Sequence, residues 1–514
     1  MKQRIAIFLA LVLVSYGCNV NQESPEVNPP LESVSKTTLD RNIQQVLLQR
    51  GEFEWSWVSS ANVAAALQAE DSTLTVGYQP AGFTNLSTRI HEVNVASEPW
   101  ITAKRSVINE LQRTYDGLGI DVEVEEQIVL DHETLPYFKM KAYRAVIVEK
   151  LRSLNTVRYS EPTTYTYVDA GVISPEGRIE SDAGCGSNNA DNINSGDFTT
   201  ISPGAKQPWN YNIHNIPQAW SYSQGDNIGV GVIDTGISPS QAKLNSQFSS
   251  GNSTGRSVSK FGTFVDRAWW QWWRSSNPDG PNDRCGHGTQ MSGAIAAPRA
   301  SGGASVGVAY KSNLVSVRGT SDVVINGGNE KDGVSDALVL LGNRSDIKII
   351  SMSIGDIFSS GQVRDAIRYA NNRGKLIFAA AGTSTTFTNW YGVIFPANMS
   401  ETVAVTGIKD NGYNRCDICH DGSKVDFAVT MQRAPNTSRT SLTLADSGNT
   451  PSYVGGSSIA TAQTAGIAAL VWARNPSQSK SQVLDKMKRA GEFYPGRNRN
   501  FGWGKIDALK AVTF

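Results

Sequence analysis

From residue 205 onward the sequence predicts an α/β fold: a mainly parallel sheet covered by helices on both faces. Three observations carry this. Short apolar runs recur as candidate core strands, at Ile228–Asp234, Leu314–Val317, Ile347–Ser353, Leu376–Ala380, Thr402–Thr406 and Val425–Ala428. Stretches such as Asp336–Leu341 and Val363–Asn371 fall between them and carry helical spacing. The first candidate strand ends on Asp234, and such sheets place reactive groups at strand carboxyl ends.

The bulk numbers agree with a folded, multi-domain chain. It has 514 residues, 39% hydrophobic and 18% charged, which excludes a disordered polyampholyte. Formal net charge is zero, so nothing favours nucleic acid as a partner.

Taken in order, residues 1–17 read as a signal peptide. Met1 to Arg4 is basic and Ile5 to Val14 is apolar, too short to span a bilayer comfortably. Cys18 follows Gly17 and looks like a lipoprotein cleavage point, with Cys18 as the lipidated first residue. Ser15 and Tyr16 depart from that pattern. Residues 18–40 are polar, contain Pro25, Pro29 and Pro30, and read as a flexible tether.

Residues 41–167 have their own patterning. Trp100 to Thr114 has Val107, Ile108 and Leu111 on one helical face. Val122, Val124, Ile128 and Leu130 predict extended segments. Arg144 to Asn155 predicts a second helix, and Thr156 to Pro162 a strand stopped by proline. Together they predict a small α+β, ferredoxin-like unit. Residues 168–204 are rich in Gly, Ser, Asn and Asp and read as a linker.

Chemistry concentrates in three segments. Gly455 to Gly466 reads GGSSIATAQTAG and delivers Ser458 to the start of an apolar helical run. There, free backbone N–H groups and the helix dipole favour a developing negative charge. Ile228 to Gly236 reads IGVGVIDTG, and Gly286 to Gly293 reads GHGTQMSG around His287. Singly, Asp234 fits a turn, His287 a core histidine and Ser458 a helix cap. In the chain order Asp, His, Ser they match one of the known hydrolytic triads.

With those motifs the region from Trp209 to Phe514 resembles the subtilisin-like serine proteases. The resemblance implies a three-layer subtilisin-like fold and an endopeptidase whose catalytic residues are Asp234, His287 and Ser458. It implies peptide or protein substrates held along Met352-Ser353-Ile354-Gly355, with Ala380-Ala381-Gly382 walling the main specificity pocket. It implies an oxyanion donor at Thr383, where the family usually has asparagine; Ser384 and Thr385 follow as further hydroxyls. Gln290 and Ala462 are milder departures. It implies that residues 41–167 are an inhibitory, folding-assisting propeptide ending in the strand VRYSEP, with cleavage between Val168 and Gly184. It implies no required cofactor, although structural calcium is common in the family, and it implies a monomer. The ending FGWGKIDALKAV looks like the family's own, so no further C-terminal domain is expected. An exported bacterial enzyme is expected, its lipid anchor holding the precursor at a membrane and the mature enzyme at the cell surface, in the periplasm or secreted. The competing readings are a protease-fold binding protein weakened at Thr383, and a specialised processing protease or transpeptidase.

Cys185, Cys285, Cys416 and Cys419 remain if Cys18 is lipidated, and three pairings are open. Cys185 with Cys285 and Cys416 with Cys419 is the preferred one. Cys416-Asp-Ile-Cys419-His420 also matches the covalent haem signature, but it lies between two core strands with no room for a cytochrome module. A zinc site there is equally disfavoured, and no metal ligands are assigned. Trp269-Trp270-Gln271-Trp272-Trp273 is read as part packing and part rim, in preference to a surface for peptide, glycan or a membrane interface.

Overall fold

A computed structural model describes residues 34–167, 185–186, 188–266, 277–383 and 392–514. The signal segment, Cys18, the expected cleavage window, Trp269–Trp273, Ser384 and Thr385 lie outside the described residues.

The N-terminal unit begins earlier than its sequence boundary. Helix α1 (Lys36–Arg50) is capped by the Ser35 side chain. Its residues Leu39, Ile43 and Leu47 are buried at helical spacing, so 36–40 belong to the folded body and not to the tether. Then come α2 (Ser60–Ala69), β1 (Thr73–Tyr78), α3 (Glu98–Gly117), β2 (Ile128–Asp131), β3 (Tyr137–Lys141), α4 (Ala145–Ser153) and β4 (Val157–Pro162). The four strands form an antiparallel sheet of order β2-β3-β1-β4, the split βαβ arrangement. Val122 and Val124 are not in a strand. Val124–Gln127 is a short 3₁₀ turn in which only Val124 is buried.

The C-terminal unit is built on a seven-stranded sheet. Its elements are β5 (Gly229–Asp234), β6 (Val258–Gly262), α5 (His287–Ala296), β7 (Asn313–Arg318), α6 (Gly328–Asn343), β8 (Ile347–Met352), α7 (Gly361–Asn372), β9 (Leu376–Ala380), β10 (Thr402–Lys409), β11 (Phe427–Gln432) and α8 (Gly456–Ala473). Strand order is β11-β10-β9-β8-β5-β7-β6, and every neighbouring pair is parallel. Strand order reverses beside β5, and that switch point is where α/β sheets open a crevice for ligands. Helix α8 is buried around nearly its whole circumference, which explains its apolar sequence.

Two apolar cores flank the sheet. One contains α5 and α8. The other contains α6 and α7 and runs on without a break into the core of the N-terminal unit. There Trp55 stacks on Phe358 at 5.7 Å, and Phe53 and Tyr165 meet the same ring edge-on. Polar contacts frame this junction. Arg158 makes a two-pronged ion pair with Asp365 at 2.9 and 2.6 Å, and Lys139 pairs with Asp332. Thr164 Oγ1 accepts the N–H of Gly328, the first residue of α6, at 2.9 Å.

The expected linker is folded over its second part. Phe198–Ile201 and Ala205–Pro208 form a hairpin, and fully buried Asp197 holds Arg433 and Arg439.

Candidate active site

Asp234 is the last residue of β5 and is fully buried. Its Oδ1 accepts the N–H of Thr235 at 2.8 Å and lies 2.8 Å from His287 Nδ1. His287 opens α5 and is 4% exposed. Burial by itself would push its pKa down. The charge and hydrogen bond of Asp234 outweigh that, and the imidazole ends above its ordinary value.

The turn before α5 is fixed by Asp283, a residue that motif reading passed over. Its carboxylate accepts the N–H groups of Cys285, Gly286 and Thr289 and the hydroxyls of Thr289 and Thr235. Thr235 Oγ1 in turn accepts the N–H of Gly288 at 2.8 Å. A Cβ on Gly288 would lie 2.4 Å from the carbonyl oxygen of Gly236, so only glycine lets the segments carrying Asp234 and His287 touch. An aspartate just ahead of a helix start was the available signal. Its partner Thr235 lies far away in sequence.

Ser458 lies in the first turn of α8, which packs along α5. Its Oγ donates to the carbonyl of Ser353 at 3.4 Å, and Ser353 Oγ donates back to the Ser458 carbonyl at 3.0 Å. The hydroxyl is thus aimed at Ser353 and not hydrogen-bonded to His287. Catalytic hydrogen bonds commonly close only when substrate is bound. The Ser458 N–H has no partner within the helix, as expected in a first turn.

Thr383 stands next to this turn. Its Oγ1 is 3.0 Å from Ser457 Oγ and accepts the Ser457 N–H at 3.3 Å. Ser457 Oγ also accepts the N–H of Gly382 at 3.2 Å. If Ser457 spends its one proton on Thr383, the Thr383 hydroxyl proton stays free to point elsewhere. Gly456, at φ +80°, leaves room for this pair, since a Cβ there would lie 2.8 Å from Thr383 Oγ1.

Ala380 ends β9, and Ala381 and Gly382 follow it. His420 backs them: its N–H bonds the Gly382 carbonyl at 2.9 Å, and a Cβ on Gly382 would meet its ring. Burial lowers the His420 pKa to about 4. Cys416 and Cys419 are joined to each other, which leaves no free thiol for haem attachment. Cys185 is joined to Cys285, two residues before His287. Ser353, Ile354 and Gly355 follow β8 as an extended segment beside Ser458. Among the described residues no group of three or more His, Cys, Asp or Glu side chains is placed to hold a metal ion.

A buried Asp–His pair at the switch point of a parallel sheet, with a serine at a helix start, is the architecture of an α/β serine hydrolase. The chain belongs to the Subtilase family, whose match spans residues 225–504, and it is a serine endopeptidase acting on peptide or protein substrates. It is 27% identical to thermitase of Thermoactinomyces vulgaris over 300 residues, 58% of this chain and 93% of that protein. It is 31% identical to alkaline elastase YaB of Bacillus sp. (strain YaB) over 308 residues, 59% and 70% of the two chains. It is 28% identical to subtilisin Savinase of Lederbergia lenta over 306 residues, 59% and 98%. Among the described residues no helix is long and apolar enough to cross a membrane.

Proposed function

We propose that the chain is an exported endopeptidase made as a zymogen, with Ser458 as nucleophile, His287 as general base and Asp234 as the carboxylate that orients it. The 2.8 Å contact between Asp234 and His287, with His287 on a helix that packs along α8, carries this reading. Ser458 Oγ attacks the scissile carbonyl while its proton passes to His287 Nε2. That proton then goes to the departing amine, and water repeats the sequence on the acyl-enzyme. The Ser458 N–H and the Thr383 hydroxyl hold the oxyanion. The segment Ser353–Gly355 and the wall Ala380–Gly382 hold the acyl side of the peptide.

The unit ending at Thr166 acts as intramolecular inhibitor and folding template, supported by the apolar core it shares with α6 and α7. A long-range parallel sheet folds slowly, which gives a template its purpose. Cys18 anchors the precursor through lipid, and cleavage between Val168 and Gly184 separates anchor from enzyme. The family resemblance allows structural calcium, but no residues are assigned to it.

The test is labelling by a fluorophosphonate probe. Wild type is expected to label and Ser458→Ala to remain unlabelled. Equal labelling of both removes Ser458 from the role.

A further inference from the structure

His420 holds two stretches of chain that lie apart in sequence. Its backbone N–H donates to the Gly382 carbonyl at 2.9 Å, and its ring Nδ1 lies 3.0 Å from the Gly392 carbonyl. A carbonyl only accepts, so Nδ1 carries the proton. The residue is 1% exposed, and burial lowers its pKa to about 4. His287 has its pKa raised, so His420 is neutral wherever His287 can act as a base. A neutral imidazole has one N–H, and here it goes to Gly392. The two stretches are also tied directly, by the Ile394 N–H on the Ala381 carbonyl at 3.0 Å.

The histidine is itself seated on the sheet. Its neighbour Cys419 bridges Thr383 in antiparallel register. Cys419 is joined to Cys416, whose N–H bonds the Gly407 carbonyl on β10 at 3.1 Å. Thr406, also on β10, donates its hydroxyl to the His420 carbonyl. A Cβ on Gly407 would lie 2.7 Å from Cys419 Sγ, so the disulfide loop rests directly on the strand.

What the ring holds is the backbone beside the first turn of α8. A Cβ on Gly382 would lie 2.4 Å from His420 Nδ1, so the imidazole packs against the Gly382 backbone. Gly382, at φ +131°, has no Cβ to limit its conformation, and its neighbours must set it. On its other side the Gly382 N–H donates to Ser457 Oγ, the atom that also meets Thr383 Oγ1 at 3.0 Å. A shift of Gly382 therefore carries Thr383 away from Ser457 and re-aims its hydroxyl.

We propose that His420 is a positioning residue that fixes the Thr383 hydroxyl by pinning Gly382 between Gly392 and Ser457. It acts through Thr383 and not on the substrate. The inference rests on the reading of Thr383 as an oxyanion donor. It gives the short Cys416–Cys419 loop a part in turnover.

The experiment measures kcat and KM on a peptide p-nitroanilide with purified active enzyme. Rates are referred to sites titrated with a fluorophosphonate probe, so a poorly folded fraction does not count. His420→Leu fills the space but cannot donate to Gly392. His420→Asn places an amide N–H as many bonds from the backbone as Nδ1 is. His420→Leu is expected to lower kcat about tenfold with KM within about twofold, part of what losing one oxyanion donor costs. His420→Asn should keep kcat within about threefold of wild type. In a Thr383→Val background, His420→Leu should change kcat by less than about twofold, because the hydroxyl it would misplace is already gone. An equal fall in both backgrounds overturns the proposal, as does a His420→Asn enzyme no better than His420→Leu. Unchanged kcat in His420→Leu overturns it too. If Thr383→Val alone leaves kcat unchanged, the oxyanion reading fails and the positioning role falls with it. His420 is intact in that chain, so the two failures are told apart.

Discussion

Glu161 accepts the backbone N–H of Gly361 at 2.5 Å, so a carboxylate of the N-terminal unit closes the first turn of α7 in the C-terminal unit. Its enclosure between the units pushes its pKa up to about 7, ahead of the opposing pull of the Gly361 N–H, Lys331 and Arg364. On separation the carboxyl returns to the ordinary range. The docked form thus holds the proton more tightly. Its docking contribution is complete below the usual carboxylate pKa and is lost as pH rises through about 7. In full-length Ser458→Ala, hydrogen exchange at the first turn of α7, corrected for intrinsic rates, should lose about tenfold in protection between about pH 5 and 8. Glu161→Gln should flatten that dependence. Identical profiles in both chains would assign the effect to another group.

The raised pKa of His287 predicts an activity limb above the usual imidazole range. The base must be neutral, so turnover falls as pH drops through that limb. Asp234→Asn should move the limb to lower pH and reduce kcat by about 10³–10⁴-fold. Initial rates across pH on both proteins read the two effects separately. An unmoved limb would mean that Asp234 does not set the His287 pKa.

Thr383 is tested by chemistry at one atom. Thr383→Val keeps the shape and removes the hydroxyl, and kcat should fall by about 10²-fold with KM little changed. Thr383→Asn should raise kcat. Ser457→Ala removes the partner that orients the hydroxyl and should lower kcat by a smaller factor. Unchanged kcat in Thr383→Val would exclude Thr383 from oxyanion stabilisation.

The Cys185–Cys285 bridge closes a separation of 100 residues. Cys185→Ser should lower stability by about 2–4 kcal/mol in denaturant unfolding of the Ser458→Ala chain. It should also raise KM, because the bridge borders both the turn before His287 and the segment at Asp322. A stability loss with unchanged KM would confine the bridge to a structural role.

Order along the chain predicts the fate of the proposed lipid anchor. Cys18 precedes the expected cleavage window and the catalytic segments follow it. Ser458→Ala should therefore accumulate as a full-length, membrane-associated precursor, while wild type yields enzyme beginning between Val168 and Gly184. Fractionation with N-terminal sequencing decides this. Fully active enzyme still carrying Cys18 in one unbroken chain would sink the release reading.

Most of the parallel sheet was legible because its strands are buried on both faces and read as apolar runs. Strand β6 escaped notice: Val258–Gly262 is a half-buried edge strand with serine and lysine in it. Helix α5 was hidden by its glycines, which permit close packing but weaken any helical pattern. Helix α1 was missed at its start because Lys36-Thr37-Thr38 is polar, although Leu39, Ile43 and Leu47 carry the spacing. The residues proposed for catalysis stood out through short motifs. Asp283 and Ser457 did not, because their importance lies in hydrogen bonds to residues far along the chain. The hold of His420 on Gly382 and Gly392 is likewise a tertiary event that no local pattern announces.

The apolar core that runs from α6 and α7 into the N-terminal unit has a consequence for the history of the molecule. Phe358 owes its cover to Phe53, Trp55 and Tyr165, which lie before the expected cut. If that unit is removed as proposed, the instructions for reaching the fold go with it, and the fold would persist only behind its unfolding barrier. The mature enzyme would then be path-dependent: heat it past unfolding and cool it again, and it does not return.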